Sequence, residues 1–190
     1  MPVIVADNAW HRLRAARLAG VPIYFGELLS EHAENALELG AYANLLAVTA
    51  NDSYNALVCG HFAPELGRQK VFQLATGETA EPRRPSPTAS GRTAFADDIQ
   101  YEDLQRRWYQ GWGFHASRIT ESFRLDDLRA ALPEGAIPLL IIDQDNEVRI
   151  LAAGRPMKPE RGERVLWFGC KPLPERAPAT GERAADKGAD

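Results

Sequence analysis

The chain has 190 residues, 45% of them hydrophobic and 25% charged, with a formal net charge of -4. That is enough apolar material for one medium domain, or one domain with a smaller companion. The negative balance, with only the small pairs Arg83-Arg84 and Arg106-Arg107 breaking a dispersed basic pattern, argues against a nucleic-acid or anionic-lipid surface. Cys59 and Cys170 lie far apart and outside any C-x-x-C pattern, so they read as reduced thiols of a cytosolic protein. The longest apolar run, residues 137–142 with a proline inside it, falls far short of the ~20 residues that span a bilayer. No basic segment followed by an apolar one opens the chain, so neither a signal peptide nor membrane insertion is expected.

Residues 2–7 form a short apolar run ending in Asp7, the profile of a strand buried on both faces. Residues 8–19 read as a helix that Asp7 or Asn8 caps and Gly20 ends. A second strand follows over 21–25, closed by Gly26. Ser30 caps a helix running to Leu39, and Gly40 ends it. A third strand covers 44–49, Asn51 opens a helix to about Phe62, and a fourth strand covers 71–75. Strands alternating with helices of ten to thirteen residues imply parallel βαβ units with right-handed crossovers.

Residues 77–93 hold Pro82, Pro85 and Pro87 among small and charged residues and read as a linker. A small α+β module is expected over 94–171: a helix at 101–111, a strand at 115–123 and a helix at 125–132. A hairpin of 138–142 with 148–152 follows, then a strand at 165–168. Residues 172–190 have the composition of a disordered tail. The four tryptophans, Trp10, Trp108, Trp112 and Trp167, read as core or inter-module packing.

The expected fold class is therefore α/β: residues 1–76 form an incomplete Rossmann-type parallel sheet, followed by the small α+β module. In a sheet of order 3-2-1-4-5-6 the first strand is central, and the turn after it carries G-x-G-x-x-G over the pyrophosphate. Asp7 fits the acid that ends the next strand and binds ribose hydroxyls, which places the first strand about 20 residues earlier than residue 7. No such segment is in these 190 residues, so Met1 is expected to be an internal start of a longer reading frame. The alternative role for Asp7 is helix capping alone. Gly111-Trp-Gly113-Phe-His-Ala116 matches the glycine motif by letter, but it follows Arg-Arg-Trp-Tyr and precedes a strand, whereas the motif works only between a strand and a helix.

Several blocks resemble one family. Val3-Ile-Val-Ala-Asp7-Asn8-Ala-Trp10, Arg14-Ala-Ala-Arg17-Leu-Ala-Gly20-Val-Pro22-Ile-Tyr24-Phe-Gly26 and Leu46-Ala-Val-Thr49 with Asn51-Asp52 and Asn55-Ala56-Leu57 are similar to the TrkA-N (RCK) regulatory domain. The form fused behind the membrane domain of bacterial sodium/proton antiporters matches best. Gly91-Arg92-Thr-Ala-Phe95, Arg118-Ile-Thr120 and Ile137-Pro-Leu-Leu-Ile-Ile-Asp143 extend the match to about residues 2–170. The resemblance implies a non-enzymatic cytoplasmic module at the inner face of the membrane that binds NAD(H) or an adenine nucleotide. Its implied partners are a transporter membrane domain, in the same longer chain or a separate subunit, and a second copy in a homodimer. In matching positions Asp7 takes the ribose, Gly26 lets the chain turn near the ligand and Thr49 lines the nucleotide. Asn8, Glu27 and Asn51 stand beside them as cofactor-binding positions, with Glu27 where many relatives carry an acid after the glycine. The glycine loop itself is absent.

Two other readings compete: a fragment of an NAD-dependent oxidoreductase, and a stand-alone interaction subunit of a potassium or sodium transport system. The first needs an acid/base group facing a nicotinamide; His115 and Arg118 are present, but no convincing pair and no Tyr-x-x-x-Lys. Cys59-Gly60-His61 looks like a ligand pair, yet residues two apart on a helix point about 200° apart and share a metal poorly.

Overall fold

A computed structural model describes residues 2–77 and 90–173. In chain order the elements are β1 (Val5–Asp7), α1 (Arg14–Leu18), β2 (Ile23–Phe25), α2 (Glu31–Ala36), a 3-10 turn (Leu39–Ala41), β3 (Leu45–Ala47), α3 (Asp52–Leu66) and β4 (Val71–Gln73). Then come β5 (Arg92–Thr93), α4 (Tyr101–Tyr109), β6 (Gly113–Arg118), α5 (Leu125–Ala131), β7 (Ile137–Ile142), β8 (Val148–Ile150) and β9 (Arg164–Gly169). The fold is mixed α/β, with parallel strands throughout the first half.

Those parallel strands do not form one sheet. β1 pairs with β2, and β3, β4 and β5 form a separate sheet in that order, all parallel. The register runs Val5↔Ile23 to Asp7↔Phe25 in the first and Leu45↔Val71 to Ala47↔Gln73 in the second. β1 and β3 are not neighbours in either sheet, so each has a ladder partner on one side only.

This break corrects the expectation of a doubly buried first strand. Val3 and Val5 are 45% and 39% exposed, because a parallel strand is covered only when both neighbours and both flanking layers are present. The first helix is also shorter than expected. Asp7 Oδ1 accepts a hydrogen bond from the Ala9 amide and starts a turn, and α1 begins only at Arg14, behind Leu13, which has no capping side chain. Ser30 caps α2 as expected, through the Ala33 amide, but α2 stops at Ala36 and the chain tightens into the 3-10 turn. Asn51 caps α3 through the Tyr54 amide, and α3 runs past Pro64 to Leu66. Pro64 sits in the last turn, where it gives up the hydrogen bond to the Gly60 carbonyl, and the helix ends two residues later.

Within the segment read as a linker, residues 78–89 lie outside the described structure, but Arg92 and Thr93 form β5 beside β4. Gly91 makes that approach possible: a Cβ there would sit 2.6 Å from Cys59 Sγ and 3.2 Å from the Phe72 backbone. The chain then crosses directly into the second half. Ala94 bridges to Ala152, and Phe72, Ala94 and Ala152 form one buried cluster with Leu46, Phe95 and Ile150 packed on it. The two halves therefore share a core.

The second half is an antiparallel sheet of order β6-β9-β7-β8. α4 covers one face around Ile99, Ile137, Leu139 and Phe168, and α5 the other around Ile119, Leu128, Ile141 and Val165. Leu173, assigned to the tail by composition, packs on this second cluster; the rest of that segment lies outside the described residues. Trp167 is fully buried and donates its indole N–H to Ser117 Oγ at 3.1 Å, and Trp112 packs on Phe168. Trp10 and Trp108, also expected inside, are about half exposed. Gly111 and Gly113 belong to a helix end and to β6, so the letter match to a glycine motif sits in the wrong context for phosphate.

Truncating Trp167 removes the largest fully buried side chain and leaves a cavity between two layers. Trp167→Ala is expected to cost about 3–5 kcal/mol, read as a lowered midpoint in chemical denaturation with little change in its slope.

Candidate functional site

The carboxyl ends of β1, β2 and β3 converge on one cluster of polar side chains. In open parallel sheets this is the end at which ligands bind, outside the point where the connections change direction. Asp7 closes β1, Gly26 and Glu27 follow β2, and Thr49 follows β3. Gly26 packs tightly under Tyr24, since a Cβ there would lie 3.1 Å from Tyr24 Oη and the ring would have to give by a few tenths of an ångström.

The sequence-derived residues separate into two groups. Asp7, Asn8 and Glu27 come together: Asn8 Nδ2 donates to Glu27 Oε2 at 3.5 Å, and Asp7 Oδ2 lies 3.8 Å from the Arg12 guanidinium. Thr49 and Asn51 serve the backbone instead. Thr49 Oγ1 donates to Asn55 Oδ1 at 2.7 Å, and Asn51 Oδ1 accepts the Tyr54 amide at 3.0 Å. Asn55 is fully buried and also accepts from the Thr49 amide and donates to the Thr49 carbonyl, so three hydrogen bonds fix the loop after β3. Of the two roles weighed for Asp7, capping is seen in part, since its carboxylate closes the turn at Ala9 and not the first turn of α1.

Tyr54 is the residue the sequence reading missed. It stands on the first turn of α3, and its hydroxyl donates to Glu27 Oε1 across the break between the two parallel sheets. A tyrosine one turn into a helix has no distinguishing sequence signal; only the spacing from the capping Asn51 could have placed it at the site. The hydroxyl holds the Glu27 carboxyl below the ordinary range, aided by the Leu29 amide and Asn8. In return Tyr54 is pushed up to about 12, first by burial and then by the hydrogen bond and charge of Glu27, with a contribution from Asp7. A second contact across the break joins His61 Nε2 on α3 to Glu34 on α2 at 3.0 Å.

Cys59 and His61 do not converge. Cys59 is buried with Sγ 3.3 Å from the Phe72 carbonyl, while the His61 ring faces Glu34. Burial pushes the Cys59 thiol up to about 11.

The residues present fit the ribose end of NAD(H) or an adenine nucleotide. Carboxylates of Asp7 and Glu27 at adjacent strand ends offer acceptors for a vicinal diol, the group an acid at the end of a strand binds in dinucleotide sites. They do not fit the phosphates: the side chains that end β1 and follow β2 are carboxylates, the nearby Arg12 guanidinium is already beside Asp7, and no glycine-rich turn follows these strands.

No family model matches the chain, and no curated protein does. Among solved structures, one described as the crystal structure of the GsuK RCK domain is similar, with a TM-score of 0.34 and 13% identity over 87% of this chain and 43% of that one. The chain thus spans less than half the length of that neighbour.

Two outcomes follow from the geometry. In an alkaline absorbance titration one tyrosine should ionise late, near pH 12, and Glu27→Gln should return it towards the ordinary value of 10. Because the folded value is the higher one, the stability Tyr54 contributes is complete below pH 10 and is lost as pH rises through 12. Under native conditions an alkylating reagent should modify the exposed Cys170 and spare Cys59 until the protein is unfolded.

Proposed function

We propose that this chain is the nucleotide-sensing regulatory portion of a monovalent cation/proton antiporter, and that it is not an enzyme. The reading takes the two parallel sheets as flanks of a single Rossmann-type sheet. Their strands, in the order β2-β1 and β3-β4-β5, correspond to positions 3-2 and 4-5-6, with the central position vacant between them. The observation that carries the reading is the placement of Asp7 at the end of β1 and of Glu27 just after β2, with Glu27 joined to Tyr54 on α3 across the break between the two parallel sheets. The transporter context comes from the sequence resemblance to TrkA-N domains.

In this reading Asp7 and Glu27 hold the ribose, Gly26 keeps the backbone low beneath it, and Thr49 and Asn51 shape the opposite wall. A ligand seated there touches both half-sheets, so it binds one relative placement of them more tightly than another. That difference in affinity is all a ligand needs to bias an attached transporter. No G-x-G-x-x-G turn follows β1, β2 or β3, so the present chain is expected to bind a nucleotide weakly or not at all.

The test compares this chain with a version in which an apolar strand and a G-x-G-x-x-G turn are fused ahead of Val3, titrating each with NADH and ATP by calorimetry. The extended version should bind one of them, and Asp7→Ala in it should weaken binding about 10- to 100-fold, the scale of hydrogen bonds to a charged group. Indifference of the extended version to both nucleotides defeats the proposal. Hydride transfer from NADH to an added carbonyl substrate instead supports the oxidoreductase alternative.

A further inference from the structure

We propose that β6 is a self-pairing edge, through which two copies of this chain join their antiparallel sheets about a two-fold axis at Ala116. The inference is independent of the nucleotide reading.

The sheet has two ends, and they differ. At one end β8 is covered: Asn44 Nδ2 donates to the Val148 carbonyl at 3.2 Å, and Ile150 packs in the cluster shared by the two halves. At the other, β6 is six residues long and pairs with β9 without a break from Gly113↔Gly169 to Arg118↔Arg164. No strand among the described residues lies on its outer side. It carries no proline and no bulge, and its one permanent charge, Arg118, stands at its last residue, so little stops this edge from adding a strand.

The backbone phase fits a two-fold. Ile119 directs its N–H and C=O towards the β9 side, to Glu163 and Gly162. Alternation along the strand then points the amides and carbonyls of Phe114, Ala116 and Arg118 at the open edge. A two-fold axis in the plane normal pairs an edge strand with itself antiparallel, as an isologous contact requires. Centred on Ala116, it places Ala116 opposite Ala116 and Phe114 opposite Arg118, each a hydrogen-bonded pair.

The side chains fit the same register. Phe114, Ala116 and Arg118 share one face and are exposed, Phe114 by 61%. Phe114 packs against Phe168 at 5.1 Å and Trp108 at 6.0 Å, ring centre to ring centre, and Trp108 is itself 55% exposed. An aromatic at one end of the strand, a small residue in the middle and an arginine at the other is self-complementary under a two-fold. Each Arg118 meets the partner's aromatic pair, a cation–π contact made twice. A second copy matches this pattern by symmetry.

The experiment is sedimentation velocity of the full chain over a concentration series, with hydrogen exchange followed at the Ala116 amide. The wild type should dimerise reversibly and protect that amide as it does so. Ala116→Pro removes a donor aimed away from β9 and should weaken the dimer about tenfold or more. Phe114→Arg replaces an exposed ring and sets like charges opposite each other, and it should do the same while circular dichroism stays unchanged. Phe114→Arg combined with Arg118→Glu should recover the dimer. A chain monomeric at every concentration, a dimer indifferent to both single substitutions, or a dimer whose Ala116 amide exchanges as in the monomer overturns the proposal.

Discussion

A parallel strand owes its burial to its neighbours, and here the ladder is interrupted between β1 and β3. Everything in the first half follows from that interruption. Each side keeps its own pairing, β1 with β2 and β3 with β4 and β5. The valines that a continuous sheet would cover, Val3, Val5 and Val48, are about 40% exposed. Between the β1–β2 pair and the rest, two polar contacts stand where a continuous sheet would have backbone hydrogen bonds, Glu27 to Tyr54 and Glu34 to His61, beside the burial of Leu13, Tyr24 and Ala33. Such contacts on partly exposed groups are individually weak.

The second half is built on the opposite principle. Its antiparallel sheet is covered on both faces, by α4 and α5, and tied to β4 and β5 through Phe72, Ala94 and Ala152. Glu163 is buried but not unpaired: it accepts from the Arg149 guanidinium at 2.5 and 2.7 Å and from the Glu160 amide at 2.6 Å. A rigid platform thus carries β3, α3 and the loop fixed by Asn55, while the strand ends that present Asp7 and Glu27 stand across the break from it.

The elements of the first half were legible because their signals are local. Apolar triplets ending in Asp7, Phe25 and Ala47 mark strands, and Ser30 and Asn51 mark helix starts by their own side-chain chemistry. The boundaries moved where tertiary context competes with the pattern. Asp7 spends its capping oxygen on a turn, so α1 starts at Arg14, and β5 was hidden in a segment whose proline content reads as linker. Trp10 and Trp108 were misplaced for a similar reason: size and apolarity predict burial only when a layer exists to cover them.

The sequence by itself determined the parallel character of the first half, the acid at the end of its first strand and the unfitness of Gly111–Ala116 as a phosphate-binding turn. These are properties of short segments, fixed by spacing and side-chain type. Only the tertiary structure decided that β1 and β3 stay apart, that Tyr54 reaches Glu27 across the gap, and that Thr49 is occupied by Asn55. The same holds for the second half, where β8 is covered and β6 left open. Each of those depends on which elements become neighbours, and neighbourhood in a folded chain is settled by packing between residues far apart in sequence.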